Sequence, residues 1–276
     1  MAATASAVKR PIGVFDSGIG GLSILKALRT ELPHEDFVYV ADSGHAPYGE
    51  RDSAHVISRS LAITDVVRTQ HNIAALVVPC NTATAAAIHL LRHAHPDVPI
   101  IGVEPALKPA AAISKTKRIG VLATRGTLGS AKFRALVDSL AGQADFVCQA
   151  CDGLADAIEQ SDAIKIEALS NQLTRAMGTF GTNSGEMDTL VLGCTHYPFV
   201  EPLLQRLAGI NVTLVDGGMP VARNTRRILE QRGELCTKPL QSNTQGEFFT
   251  TGKVSILEAA VARWIGSHAA INELKL

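Results

Sequence analysis

Along most of the chain, short aliphatic and β-branched runs alternate with longer stretches in which apolar positions recur every three or four residues. The short runs read as strands near 11–15, 36–41, 74–79, 99–103, 118–122, 144–148, 188–193, 211–215 and 247–251. The periodic stretches read as helices over 20–31, 53–70, 82–94, 127–141, 162–178 and 219–231. Strand–helix alternation of this kind predicts α/β architecture, with mainly parallel sheets covered by helices on both faces.

An internal repeat underlies the pattern. Ile12–Ser17 resembles Ile119–Thr124, Val77–Thr82 resembles Val191–His196, and Ile101–Glu104 resembles Thr213–Asp216, at offsets of 107, 114 and 112 residues and in the same order. Chance could supply one such pair but hardly three in register. They predict two pseudo-symmetric α/β lobes, residues 9–105 and 106–216, with the first strand end carrying Asp16 in one and Thr124 in the other. Prolines and glycines in Glu104–Pro109 and Asp216–Pro220 suit the crossovers. The remainder, 217–276, with a helix, a polar loop at 241–246, a strand and a last helix, is too small for a domain and is expected to return to the first lobe.

Composition narrows the class. The 276 residues are 46% hydrophobic and 19% charged, as in a soluble globular protein. Lys+Arg and Asp+Glu balance at 26 each, so no basic bias points to nucleic acid. No apolar segment approaches the ~20 residues needed to span a bilayer, and residues 1–10 lack the apolar stretch of a signal peptide. Five scattered cysteines make no disulfide framework. The expectation is a cytoplasmic, reducing setting with free thiols.

Two of those cysteines carry the chemistry. Cys80 and Cys194 each end an apolar run and are followed at once by small hydroxyl or amide residues. Such a run leading into a helix sets the sulfur at the carboxyl edge of a parallel sheet, where ligands bind, and the helix start eases the thiolate state. A single cysteine in this setting is usually structural. The doubled context instead suggests two bases facing one substrate, since a thiol of ordinary pKa about 8.5 serves as acid or base after modest tuning. A thiol hydrolase using His196 is the competing reading, but it leaves the second cysteine without a task.

The glycine-rich turn Asp16–Ser23 matches neither a dinucleotide fingerprint, having Ser23 at the third glycine position, nor a P-loop. It offers a nest of N–H groups for a carboxylate, and Ser17, Asn81, Thr82 and Thr195 add further donors. The loop Ala41–Glu50 lies at the same edge. Cys148 and Cys151 have no second ligand pair for zinc, and His89, His93 and His95 gather at a helix end, where they complement the dipole. Both groups read as structural, and no metal site is expected.

Taken together, Phe15–Gly21, Pro47–Gly49, Pro79–Thr84 and Leu192–Pro198 resemble the aspartate/glutamate racemase superfamily, over essentially the whole chain after the first ten residues. The sequence departs from the family pattern at Asp42–Ala46 and Cys151–Leu154. The resemblance implies an active site in the cleft between two α/β lobes and interconversion of L- and D-glutamate without cofactor or metal. It further implies a supply of D-glutamate for peptidoglycan synthesis. It casts Cys80 as the base for the D-enantiomer and Cys194 as the base for the L-enantiomer, assisted by Asp16 and His196 respectively. Its substrate-binding set is Asp16, Ser17, Tyr48, Gly49, Asn81, Thr82, Thr195 and His196, with Asp42 and Glu159 as auxiliaries. Glutamate is the implied partner. A homodimer is admitted, and some relatives touch DNA gyrase, though this sequence has no feature of its own for that contact. The alternatives are an aspartate or other amino-acid racemase of the same fold, or a binding or inhibitor protein on a racemase scaffold.

Overall fold

Ten strands form two sheets in which every pairing is parallel, in the computed structural model, which describes residues 10–236 and 246–276. The polar loop expected at 241–246 falls almost wholly outside the described residues, as do residues 1–9. The chain begins β1 (Ile12–Asp16), α1 (Leu22–Glu31), β2 (Phe37–Ala41), α2 (Ser53–His71), β3 (Ala75–Val78), α3 (Asn81–Ala94) and β4 (Ile100–Gly102). It continues α4 (Leu107–Ile113), β5 (Arg118–Ala123), α5 (Arg125–Leu128), α6 (Ala131–Asp138), β6 (Asp145–Ala150), α7 (Leu154–Glu159) and α8 (Ala163–Met177). Then come β7 (Thr189–Gly193), α9 (Glu201–Ala208), β8 (Thr213–Val215), α10 (Gly218–Arg232), β9 (Glu247–Thr250), α11 (Val254–Ala260) and β10 (Ile271–Glu273).

The first sheet runs β10-β9-β2-β1-β3-β4 and the second β6-β5-β7-β8. The core order β2-β1-β3-β4 is therefore repeated as β6-β5-β7-β8. The three sequence matches fall on β1 and β5, on the ends of β3 and β7, and on β4 and β8. The fourth pair shows no likeness for a physical reason. β2 is an interior strand, buried throughout, because β9 joins its outer side. β6 is an edge strand and stays partly exposed, so the two face different selection for polarity.

Side chains alternate across each sheet. Ile12 and Val14 meet Leu22, Leu25 and Leu28 of α1, Val221 and Leu229 of α10, and Leu257 of α11. Phe15 and Leu76 turn to the other face, against Val56 and Ile63 of α2 and Ile88 of α3. In the second sheet Leu190 and Leu192 pack on α7, α8 and α9, while Val121 and Val191 pack on α4 and α6. Each fully buried Leu or Ile contributes about 1.5–3 kcal/mol, so both sheets are rigid platforms for their carboxyl edges.

Some expectations need correction. The helix read over 127–141 is two, because Ser130 caps a fresh start by accepting the Phe133 N–H at 3.0 Å. Helices α4, α7 and α9 and strand β10 were not foreseen. Among the described residues, no helix is long and apolar enough to cross a membrane.

Candidate active site

The carboxyl ends of β1, β3, β5 and β7 deliver Asp16, Cys80, Thr124 and Cys194, and contacts between the loops of the two sheets bring these edges together. Ile19 N–H donates to Glu159 Oε1 at 2.7 Å, Thr82 and Thr124 hydroxyls meet at 3.0 Å, and Gly153 N–H donates to Glu50 Oε1 at 2.9 Å. Both candidate sulfurs are covered, Cys80 at 6% exposure and Cys194 at 7%. The crevice reaching Cys194, lined by Ser23, Asn81, Thr195 and Asp216 among others, has a volume of about 10 Å³. That is room for a water, so little solvent reaches the Cys194 sulfur.

Cys80 follows Pro79 in extended backbone and caps α3, whose Ala83 N–H reaches its sulfur at 3.4 Å. Its thiol points to Ser17 Oγ at 3.7 Å. The helix start thus favours thiolate as expected, yet it is outweighed. Burial first, then the nearby Asp16 carboxylate, push the Cys80 thiol well above its ordinary range. Both effects favour the protonated thiol at Cys80.

Cys194 departs from the expected context. No α-helix starts at it; a tight 3₁₀ turn over Tyr197–Val200 intervenes, and α9 begins at Glu201. The sulfur's polar neighbour is instead His196 Nδ1, 3.7 Å away. His196 Nε2 lies 2.7 Å from Glu159 Oε1, and a carboxylate there selects the Nε2–H tautomer. Burial alone would lower the imidazole, but hydrogen bonds to Cys194 and Glu159 hold its proton and push it well above the usual range. A proton can pass between Cys194 and His196.

Asp16 is fully buried. Its Oδ2 accepts the Gly21 N–H at 2.6 Å, while Oδ1 has no partner among the described residues. Burial does most to push its pKa above the usual carboxylate range, Glu159 adds to the rise, and His196 and the Gly21 N–H oppose it. Asn81 Oδ1 is likewise buried without a described partner. Two idle acceptors in a closed, polar site are what an ammonium group would satisfy.

The other expected residues divide into two groups. Ser17, Thr82 and Thr195 are buried at this edge. Tyr48 is buried too, but its hydroxyl donates to Asp42 Oδ2 at 2.5 Å. Asp42 in turn accepts a two-point contact from Arg59, at 3.0 and 2.8 Å, and the Thr251 hydroxyl at 2.6 Å. Asp42 therefore holds the Tyr48–Gly49 turn in place. Gly49 must be small, since a Cβ there would meet the Thr124 methyl at 2.6 Å.

Several residues packed at this edge went unread in the sequence. Thr127 completes a hydroxyl cluster with Thr124, at 2.9 Å; Thr124 was visible only at the strand end of the repeat, where it aligns with Ser17. Tyr39 donates to the Gly18 carbonyl at 2.7 Å, and its signal is a phenol in an otherwise apolar buried strand. Of the residues read as structural, Cys148 is exposed and Cys151 buried, both free thiols; His89 and His93 are exposed on α3, and His95 is buried. Among the described residues, no group of three or more His, Cys, Asp or Glu is gathered as metal ligands would be.

Known proteins share this architecture. The Asp/Glu/Hydantoin racemase family profile matches residues 20–223. A glutamate racemase from Ectopseudomonas mendocina (strain ymp) is 44% identical over 262 residues, covering 95% of this chain and 97% of that protein. The crystal structure of glutamate racemase isoform RacE1 from Bacillus anthracis superposes with a TM-score of 0.84 at 32% identity, over 97% of this chain and 98% of that one. The Escherichia coli glutamate racemase, solved in complex with L-glutamate and the activator UDP-MurNAc-ala, superposes with a TM-score of 0.81 at 30% identity, over 96% and 98%. This chain belongs to the Asp/Glu/hydantoin racemase family.

Proposed function

We propose that this chain interconverts L- and D-glutamate by proton transfer between two cysteines. The observation that carries the reading is the pair Cys80 and Cys194 at equivalent strand ends of two like-ordered sheets, buried in one closed polar site. Cys194 takes the α-proton of L-glutamate, and His196, steadied by Glu159, relays charge at that sulfur. The resting Cys80 thiol delivers a proton to the opposite face, with Asp16 and Ser17 beside it. For D-glutamate the roles exchange. An α-proton is far less acidic than a thiol, so the carbanion must be stabilised by donors around the substrate carboxylates. Ser17, Asn81, Thr82 and Thr195 are the donors in this reading, with Tyr48 and Gly49 walling the site. An acid and a base on opposite faces suffice, so neither metal nor cofactor enters.

The two lobes of this reading are residues 9–105 and 106–216, with 217–276 returning to the first; β9 beside β2, and α10 against α1, support that division. Glutamate as substrate is supported by the relatives' activity, and with it a cytoplasmic setting and a supply of D-glutamate for peptidoglycan synthesis. The test is circular dichroism of purified protein, dialysed against chelator, with D-glutamate. Optical activity should decay to zero, and much more slowly with D-aspartate. Equal rates on aspartate would remove glutamate as the substrate, and no decay on either would remove racemisation.

A further inference from the structure

Ser23, at the start of α1, has no task in the chemistry above. Its Oγ lies 2.8 Å from the Gly20 carbonyl and 2.9 Å from the Thr195 carbonyl across the cleft. A hydroxyl has one proton to give. Gly20 O already accepts the backbone N–H of Ser23 at 3.0 Å, so a hydroxyl turned to Thr195 leaves neither carbonyl without a donor.

The Thr195 carbonyl needs that donor because of its neighbour. In the turn after Cys194, Tyr197 N–H donates to Cys194 O and Phe199 N–H to His196 O, both at 3.1 Å. The residue due to serve Thr195 O is Pro198, which has no N–H. Thr195 is buried, and a buried carbonyl without a donor is costly. Among the described residues, Ser23 Oγ is the donor that reaches it.

We infer that Ser23 is a positioning residue for Cys194, supplying from the first lobe the hydrogen bond that Pro198 denies the Cys194–His196 segment. The inference rests on the reading of Cys194 as a base. The same loop is shaped to the segment: a Cβ on Gly20 would meet His196 Nδ1 at 2.5 Å and Thr195 Oγ1 at 2.6 Å. Cys80, by contrast, is held by Ser17 and Ala83 of its own lobe. Ser23 therefore acts on one base and leaves the other alone.

The test compares Ser23→Ala and Ser23→Thr with the parent on 3-chloroglutamate of each α-configuration. Elimination needs one base: a cysteine takes the Cα proton, chloride leaves Cβ, and the two carbons gain a double bond. For Ser23→Ala, elimination from the L-form should slow about tenfold and from the D-form less than about twofold, as loss of one partly buried hydrogen bond implies. Ser23→Thr, which keeps the hydroxyl, should stay within about twofold of the parent on both. Equal slowing on both forms, no slowing on either, or a Thr variant as slow as the Ala variant would overturn the inference. A parent that fails to racemise glutamate would instead overturn the reading of the site, a result visible before any variant is made.

Discussion

Cys80 and Cys194 answer to different neighbours, and that difference is measurable one residue at a time. Cys80→Ala removes the acid for one face but leaves Cys194 with His196, so it should still eliminate HCl from 3-chloro-L-glutamate while losing racemisation by at least about a thousandfold. Cys194→Ala should show the opposite preference. A variant of either cysteine that racemises near the parent rate would end the two-base scheme. Gly20→Ala probes the packing of this edge itself. Its new methyl would sit against His196 Nδ1 and Thr195 Oγ1, so activity should fall at least about tenfold while far-UV circular dichroism stays unchanged, as expected of a clash confined to the cleft. The cysteines, Asp16, Ser17, Asn81, Thr82, Thr195 and His196 could be read because each lies within a few residues of a strand end. Glu159 could be named only by resemblance, and the pairing of Ser23 with Thr195 not at all, since a hydrogen bond between residues 172 apart in sequence leaves no local pattern.

Among the elements, the start of β7 is tied to the entry of β5 by Asp188. Its Oδ1 accepts the hydroxyls of Ser114 and Thr189 at 2.6 and 2.9 Å, and its Oδ2 the N–H groups of Lys115 and Thr116 at 2.7 and 3.0 Å. Burial would raise its pKa, but these four donors outweigh it and bring the group down from 3.8 to about 2. A depressed carboxyl stabilises the fold fully above its unfolded value and loses that contribution as pH falls toward its folded value. Asp188→Asn should therefore cost about 1 kcal/mol at neutral pH, the shift being partly screened by solvent, and denaturant melts between pH 4 and 2 should lose part of the parent's acid dependence. An unchanged profile would show that the carboxylate is not the fastener. The long strands and helices were legible because their apolar periods run for several turns or for four or more buried residues. Helices α4, α7 and α9, of 7, 6 and 8 residues, are too brief for a period to emerge. The break at Ser130 was missed because the apolar pattern continues through it, and only the serine's capping bond ends one helix and starts another.

For the whole molecule, the two carboxyl edges are joined by polar contacts, Ile19 with Glu159, Thr82 with Thr124 and Glu50 with Gly153. The first two are buried, and the third is exposed and contributes about 1 kcal/mol or less. At the rim, Glu50 of the Tyr48–Gly49 turn accepts the Gly153 N–H that begins α7, the helix ending in Glu159. Glu50→Ala should raise KM for both enantiomers about two- to fivefold with a smaller change in kcat, in initial-rate assays; a change in kcat alone would place the contact in the chemical step. The repeated strand order has one more consequence. L- and D-glutamate are mirror images of equal free energy in water, but the two like-ordered sheet edges that meet at the site are unlike copies, one sulfur beside Asp16 and Ser17 and the other beside His196 and Glu159. Both directions share one free enzyme and one transition state, so kcat/KM must be the same for either enantiomer. The bound states have no such obligation. The two enantiomers should saturate at concentrations differing by at least about twofold, with kcat differing by the same factor, so that at high glutamate the enzyme works faster in one direction while favouring neither hand at equilibrium.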